Sequence, residues 1–192
     1  MSKPLSGQKI AILVANGFDE TDMTHAQRAL TSLGASMKIV SVESGLVNSW
    51  VSNGQMGSWG HHFPTDAHVN ATLAADYDGL YVPGGKRSTD KLKDNAHVKR
   101  IMRGFFDAGK PMAMLGTSVE LLAVCDRAKD CTVTGDPAIE KTMIDAGATW
   151  SEDAVCVNSF LAAAQGGTAD NALFAQFGEF YAQAPETFKQ AA

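Results

Sequence analysis

Short unbroken apolar runs alternate along this chain with segments whose apolar residues recur every three or four positions. That pattern predicts strands covered on both faces alternating with helices packed on one. Lys9 to Ala15 (KIAILVA) is the first run, closed by Asn16-Gly17-Phe18. From about Thr21 or Asp22, the residues Met23, Ala26, Leu30 and Leu33 trace one helical stripe, which Gly34 is placed to stop. Met37 to Val42 is then a second strand, which completes a β-α-β unit with a right-handed crossover. Glu43 to Gly60, rich in Gly, Ser and Asn, reads as hairpin or irregular loop, and His62 to His68 as including a short strand. Gly79 to Val82 (GLYV) is a third core strand ending in Pro83-Gly84-Gly85. Asn95 then caps a helix whose Val98, Ile101, Met102, Phe105 and Phe106 share a stripe, with Gly109 as its stop.

The next element changes period abruptly. Pro111 to Leu115 is a buried strand, whereas Val119, Leu121, Leu122 and Val124 resume at helical spacing, so Gly116-Thr117-Ser118 is a strand-to-helix corner. Beyond it, Cys131 to Val133 is strand-like, and Pro137 to Ala146 carries Ile139, Met143 and Ile144 at helical spacing. Val155 to Val157 and Phe160 to Ala163 read as two closing strands. Asn171 to Gln183 is a final helix with Leu173, Phe174, Phe177, Phe180 and Tyr181 on one face. The expectation is one α/β domain over residues 1–192, ordered from about 8 to 183. Its sheet is doubly wound and mostly parallel with helices on both faces, a flavodoxin-like sandwich. In such a sheet the functional crevice lies at the carboxyl ends of the strands, where Asn16–Asp22, Pro83–Thr89 and Gly116–Ser118 converge.

Composition narrows the partners. Sixteen Lys plus Arg against twenty-one Asp plus Glu give a formal charge of −5 with no long run of either sign, which argues against nucleic acid or an anionic membrane. No apolar stretch approaches the ~18–20 residues of a membrane span. Cys125, Cys131 and Cys156 are odd in number and lack a C-x-x-C pair, and the polar MSKPLSGQK has no secretory character. A cytoplasmic protein with reduced thiols is therefore expected, with a small molecule or another protein as its partner.

A strand-to-helix corner presents its residue beside unpaired helical N–H groups, where α/β enzymes often place a nucleophile. Here that residue is Gly116, which tolerates the backbone and carries no reagent. Thr117 and Ser118 have hydroxyls that a base could activate, that could hold an anion, or that could cap the helix; the cap is favoured by their residue types. Asp19, Glu20 and Asp22 form an acidic cluster with His25 one turn on; a solvated acidic loop is expected over a metal site. His61-His62 point to opposite faces of a strand, and His68 and His97 are expected at the surface. Gly84-Gly85 fits no phosphate fingerprint and reads as a tight turn whose N–H groups can face the crevice, while Trp50 and Trp59 favour a contact surface. No metal or cofactor is expected.

KIAILVANGFDETD, YDGLYVPGGK and KPMAMLGTSVELL, in this order, resemble the ThiJ/PfpI superfamily of the class I glutamine amidotransferase-like fold over most of the chain. The form GTSVELL is similar to the C-terminal domain of large-subunit catalases, which shares the fold and lacks the corner cysteine. The resemblance implies an acid at Asp22 or Asp19, backbone donors at Gly84 and Gly85, the catalytic cysteine at Gly116, and its following histidine at Thr117. Two of those positions lack the family's chemistry, so cysteine-dependent deglycase, glyoxalase and protease activities are not expected. The resemblance further implies a homodimer and a stress-related role. Two functions remain open: a domain binding a small anionic or carbonyl ligand or a partner, and an enzyme on small carbonyls or amides. The enzyme would use Asp22 with Thr117 or Ser118 and a Gly84/Gly85 oxyanion hole. In a third arrangement, a second copy lends residues to the crevice.

Overall fold

The structure is a computed structural model; it describes residues 3–52, 56–167 and 170–190, with side chains to 183. Residues 53–55, within the expected hairpin segment, lie outside the described residues, as do 168–169, within the expected ordered core. A seven-stranded sheet forms the centre, in the spatial order β11 (Val155–Asn158), β12 (Leu161–Ala164), β8 (Met112–Leu115), β7 (Gly79–Val82), β1 (Lys9–Val14), β3 (Ser36–Ser41), β6 (Ala67–His68). Every pairing is parallel except β11 with β12.

The unbroken apolar run of β1 follows from burial on both faces, because its residues divide between two cores. Ile10, Ile12 and Val14 pack with Met23, Ala26 and Leu30 of α1 (Glu20–Ser32) and with Phe174 and Phe177 of α6 (Asn171–Gln190). Ala11 and Leu13 point the other way, into a core shared with Val98, Met102 and Phe105 of α3 (Ala96–Asp107). One strand thus nucleates a three-layer domain, and the doubly wound expectation holds.

Local details differ from the periodicity where residues serve caps or edges. Helix α1 begins at Glu20 rather than Thr21, because Asp19 is the N-cap and accepts the Asp22 N–H at 2.9 Å. The hairpin is formed: β4 (Leu46–Ser52) pairs antiparallel with β5 (Gly57–Pro64), and β2 (Phe18–Asp19) joins β4 in a separate small sheet. Helix α2 (Lys86–Lys93) escaped sequence reading because KRSTDKLK has no apolar stripe; only Ser88, Thr89 and Leu92 are buried. The expected helix after the corner is a 3₁₀ turn, Gly116–Glu120, followed by a single α turn, α4 (Leu121–Val124). Among the described residues, no helix is long and apolar enough to cross a membrane.

Candidate functional site

Four parallel strands, β1, β7, β8 and β12, end at one edge of the sheet, and the segments leaving them meet around Gly116. The corner residue has φ +56, a left-handed backbone that glycine adopts without strain. A Cβ at this position would lie 3.2 Å from the Gln165 carbonyl oxygen and 3.7 Å from Gly84 Cα. Space admits a small side chain if Gln165 yields by a few tenths of an ångström, but at this φ any side chain would be held on strained backbone.

Asp22 lies beside this corner, bonded to two of the segments that form it. Its side chain is fully buried at the start of α1. Oδ1 accepts the Gly167 N–H at 2.8 Å and Oδ2 accepts the Gly84 N–H at 3.0 Å, while the Tyr81 hydroxyl donates to its backbone oxygen at 2.7 Å. Burial pushes the Asp22 carboxyl up to about 7, the nearby Asp19 charge adds to that, and the two backbone donors only partly offset it. Near neutral pH this carboxyl exists in both protonation states, as a general acid or base would require. Asp19 faces away from this role: its carboxylate is spent on the helix cap, and its N–H is bonded to the Gly84 oxygen at 2.8 Å.

The two hydroxyls at the corner are turned inward. Ser118 Oγ donates to the oxygens of Leu115 and Val82 at 2.8 and 3.0 Å and accepts the Leu115 N–H at 3.1 Å, so it caps its own turn. Thr117 Oγ1 lies 3.0 Å from Thr89 Oγ1, and Thr89 in turn donates to the Gly85 oxygen at 3.2 Å. Neither hydroxyl of the corner has a carboxylate or imidazole partner among the described residues. Of the proposed oxyanion donors, Gly84 has its N–H committed to Asp22. Gly85, at φ +118, starts α2 where a Cβ would sit 2.7 Å from the Asp19 nitrogen.

Other expectations are corrected. The acidic cluster is not a solvated loop: Asp22 is buried, and Glu20 reaches under the hairpin to bond the Ser49 hydroxyl, the His61 N–H at 2.9 Å and His61 Nδ1 at 2.8 Å. His25 does not join Asp22; its ring lies 5.8 Å from that of Phe174. His68 is half-buried, with Nε2 against the Val42 oxygen at 3.0 Å. No group of three or more potential metal ligands occurs among the described residues. Trp50 and Trp59 pack edge to face at 5.4 Å, with the Arg87 guanidinium 4.1 Å above Trp50.

Sequence reading missed the fourth wall, Gln165-Gly166-Gly167. Its signal was available: a glycine pair one residue after the apolar Leu161–Ala164 run, the same punctuation that follows Gly79–Val82. It also missed Thr134, whose fully buried Oγ1 has no partner among the described residues and which precedes Gly135, where a Cβ would lie 2.8 Å from the Gly116 oxygen.

The fold has relatives. The profile of the DJ-1/PfpI family matches residues 8–178. A deglycase of Pyrococcus horikoshii is 26% identical over 150 residues, covering 78% of this chain and 85% of that protein. General stress protein 18 of Bacillus subtilis is 25% identical over 142 residues, covering 74% and 78% respectively. The crystal structure of a ThiJ/PfpI domain protein from Brachyspira murdochii superposes with a TM-score of 0.76 at 17% identity, over 95% of this chain and 98% of that one.

Proposed function

The chain belongs to the DJ-1/PfpI family, and from that premise we propose that its crevice binds a small carbonyl or carboxylate compound without a cysteine-linked intermediate. The observation that carries this reading is the state of the corner hydroxyls: Ser118 caps its own turn and Thr117 bonds Thr89, and neither meets a base. A hydroxyl nucleophile would need one within about 3 Å. With Gly116 at the place where the resemblance puts the cysteine, the site keeps its acid and loses its nucleophile. The protonated Asp22 carboxyl then offers an O–H to a ligand oxygen. The likeness of the corner to catalase C-terminal domains, a stress-related role and assembly as a homodimer in the cytoplasm belong to the same reading.

A second reading draws on the Asp22 carboxyl standing near 7: an enzyme on small carbonyls or amides in which Asp22 moves the proton. One assay separates the two. Methylglyoxal consumption is measured for the purified protein, Gly116→Cys and Asp22→Ala. The binding reading expects an inert wild type and slow turnover by Gly116→Cys, whose new thiol would stand beside Asp22. Wild-type turnover abolished by Asp22→Ala would overturn it in favour of acid–base catalysis. A partner lending residues to the crevice would instead show as a dimer whose dissociation removes ligand binding.

A further inference from the structure

The opposite edge of the sheet, where β7 and β8 begin, carries a cavity of about 440 Å³ between α3 and the segment Thr72–Ala75. That volume is in the range of small-molecule sites. Arg100, Gly104 and Ala108 line it at intervals of four residues, so they form one stripe along α3. Eight residues of helix at 1.5 Å each make the groove roughly 12 Å long. Leu73, Ala74 and Ile101 supply apolar walls, and Leu73 is half exposed although it is a large hydrophobic residue.

A cation stands at each end, and both are held in place. Arg100 Nη2 donates to the oxygens of Val69 and Thr72 at 3.1 and 3.0 Å. Lys110 Nζ donates to the oxygens of Ala74 at 2.8 Å and Tyr77 at 2.5 Å. These carbonyls fix the side chains but do not neutralise them. Among the described residues neither cation forms an ion pair, although the chain as a whole carries a charge of −5. Among the described residues the Nε and Nη1 groups of Arg100 have no acceptor; because Nη2 is held by backbone oxygens, neither two-pronged edge of the guanidinium is open, and a carboxylate would be met by single N–H groups, of Nη1 or Nε, on a side chain already ordered. Ordering cost that would otherwise oppose binding has been met by the fold.

We propose that this cavity binds an organic anion with an apolar body, the carboxylate on Arg100 and the tail along Ile101, Gly104 and Ala74. The site is separate from the Gly116 crevice and goes beyond the function proposed for it. Charge complementarity selects the occupant: an apolar groove alone would accept an alcohol as readily as an acid, whereas Arg100, without an ion pair among the described residues, favours the acid.

The probe is octanoate, titrated by calorimetry into the full chain, with 1-octanol and acetate as the tail without the charge and the charge without the tail. The expected result is a saturable octanoate site that survives Asp22→Asn, at least tenfold weaker binding of each control at that site, and at least a tenfold loss in Arg100→Gln. Because Arg100 also tethers Val69 and Thr72, a second variant, Ala75→Trp, adds bulk at an exposed lining position, leaves both cations in the sequence and is expected to abolish binding. Circular dichroism and thermal unfolding check that both variants are folded. Octanoate taken up by the Gly116 crevice would be lost in Asp22→Asn and kept in Arg100→Gln and Ala75→Trp, whereas octanoate held here shows the reverse pattern, which separates failure here from failure of the crevice reading. The inference is overturned if octanol binds as tightly as octanoate, if folded Ala75→Trp binds normally, or if Asp22→Asn abolishes binding while Arg100→Gln does not.

Discussion

Glu20 and Asp22 stand two residues apart in the first turn of α1, yet the hairpin side and the crevice side of that turn treat them in opposite ways. On the hairpin side, burial raises the Glu20 carboxyl, but the Ser49 hydroxyl and the N–H and ring of His61 outweigh it, so the group is held below the usual carboxylate value. On the crevice side, burial is deeper, the donors are two backbone N–H groups, and Asp19 adds like charge, so Asp22 rises to about 7. A sequence reader sees one acidic stretch, FDETD. The fold makes of it one permanent anion that fastens a hairpin and one acid that changes state near neutrality. What distinguishes them is the ratio of donors to lost water, which neither residue type nor spacing records.

The largest effect that could break this contrast is the pH dependence of stability. Because the folded carboxyl of Asp22 lies above its ordinary value of 3.8, the native protein holds a proton that the unfolded chain has released across the interval up to about 7. Its contribution is complete below about pH 4 and is lost as pH rises through 7; at about 1.4 kcal/mol per pH unit the loss is on the order of 4 kcal/mol. Urea unfolding at pH 5 and pH 8 should show wild type losing stability over that interval. Asp22→Asn should lose much less, although it starts lower by about 1–3 kcal/mol because its amide meets one backbone donor with another. Equal wild-type stability at both values would mean that the carboxyl is solvated after all.

On the hairpin side, Gly60 is the point of greatest sensitivity. A Cβ there would lie 2.3 Å from Glu20 Oε2 and 2.5 Å from Ser49 Oγ. Gly60→Ala is expected to cost about 2 kcal/mol through that overlap, lowering the thermal midpoint by roughly 5 °C in a chain of this size. An unchanged midpoint would show that Glu20 does not lie under the hairpin. The smallest effect belongs to His61→Ala. The His61 side chain is 81% exposed, so losing its pair with Glu20 should cost under ~1 kcal/mol. That cost should begin to shrink as pH falls below 4.5, the ordinary value of the Glu20 carboxyl, and be gone once pH has passed the lower value it has in the folded protein. Carboxyl NMR should show the Glu20 titration moving upward in the variant; no movement would leave Ser49 as the sole side-chain determinant.

Most of the scaffold was legible because burial on two faces writes itself as unbroken apolar runs. KIAILV, GLYV and MAML are all strands of the central sheet, and the Val98–Met102–Phe105 stripe is the buried face of α3. Helix α2 was illegible for the converse reason, since it packs mainly through small polar groups: Ser88 Oγ accepts the Ala15 N–H at 2.9 Å. At the site, the elbow, Gly84 and Gly85, and the capping use of Ser118 were readable from local chemistry. The choice between Asp19 and Asp22 was not, because the partner that distinguishes them, Gly167, is far away in the chain.

That partner has a temporal meaning. The hydrogen bond from Gly167 to Asp22 joins residues 145 positions apart, so it cannot form until most of the chain has been made. During synthesis, the first helix and its acid emerge long before the segment that seals them. A nascent chain halted before residue 167 would hold Asp22 with one backbone donor in place of two. The protonation of a single carboxyl therefore reports whether the two ends of the chain have found each other.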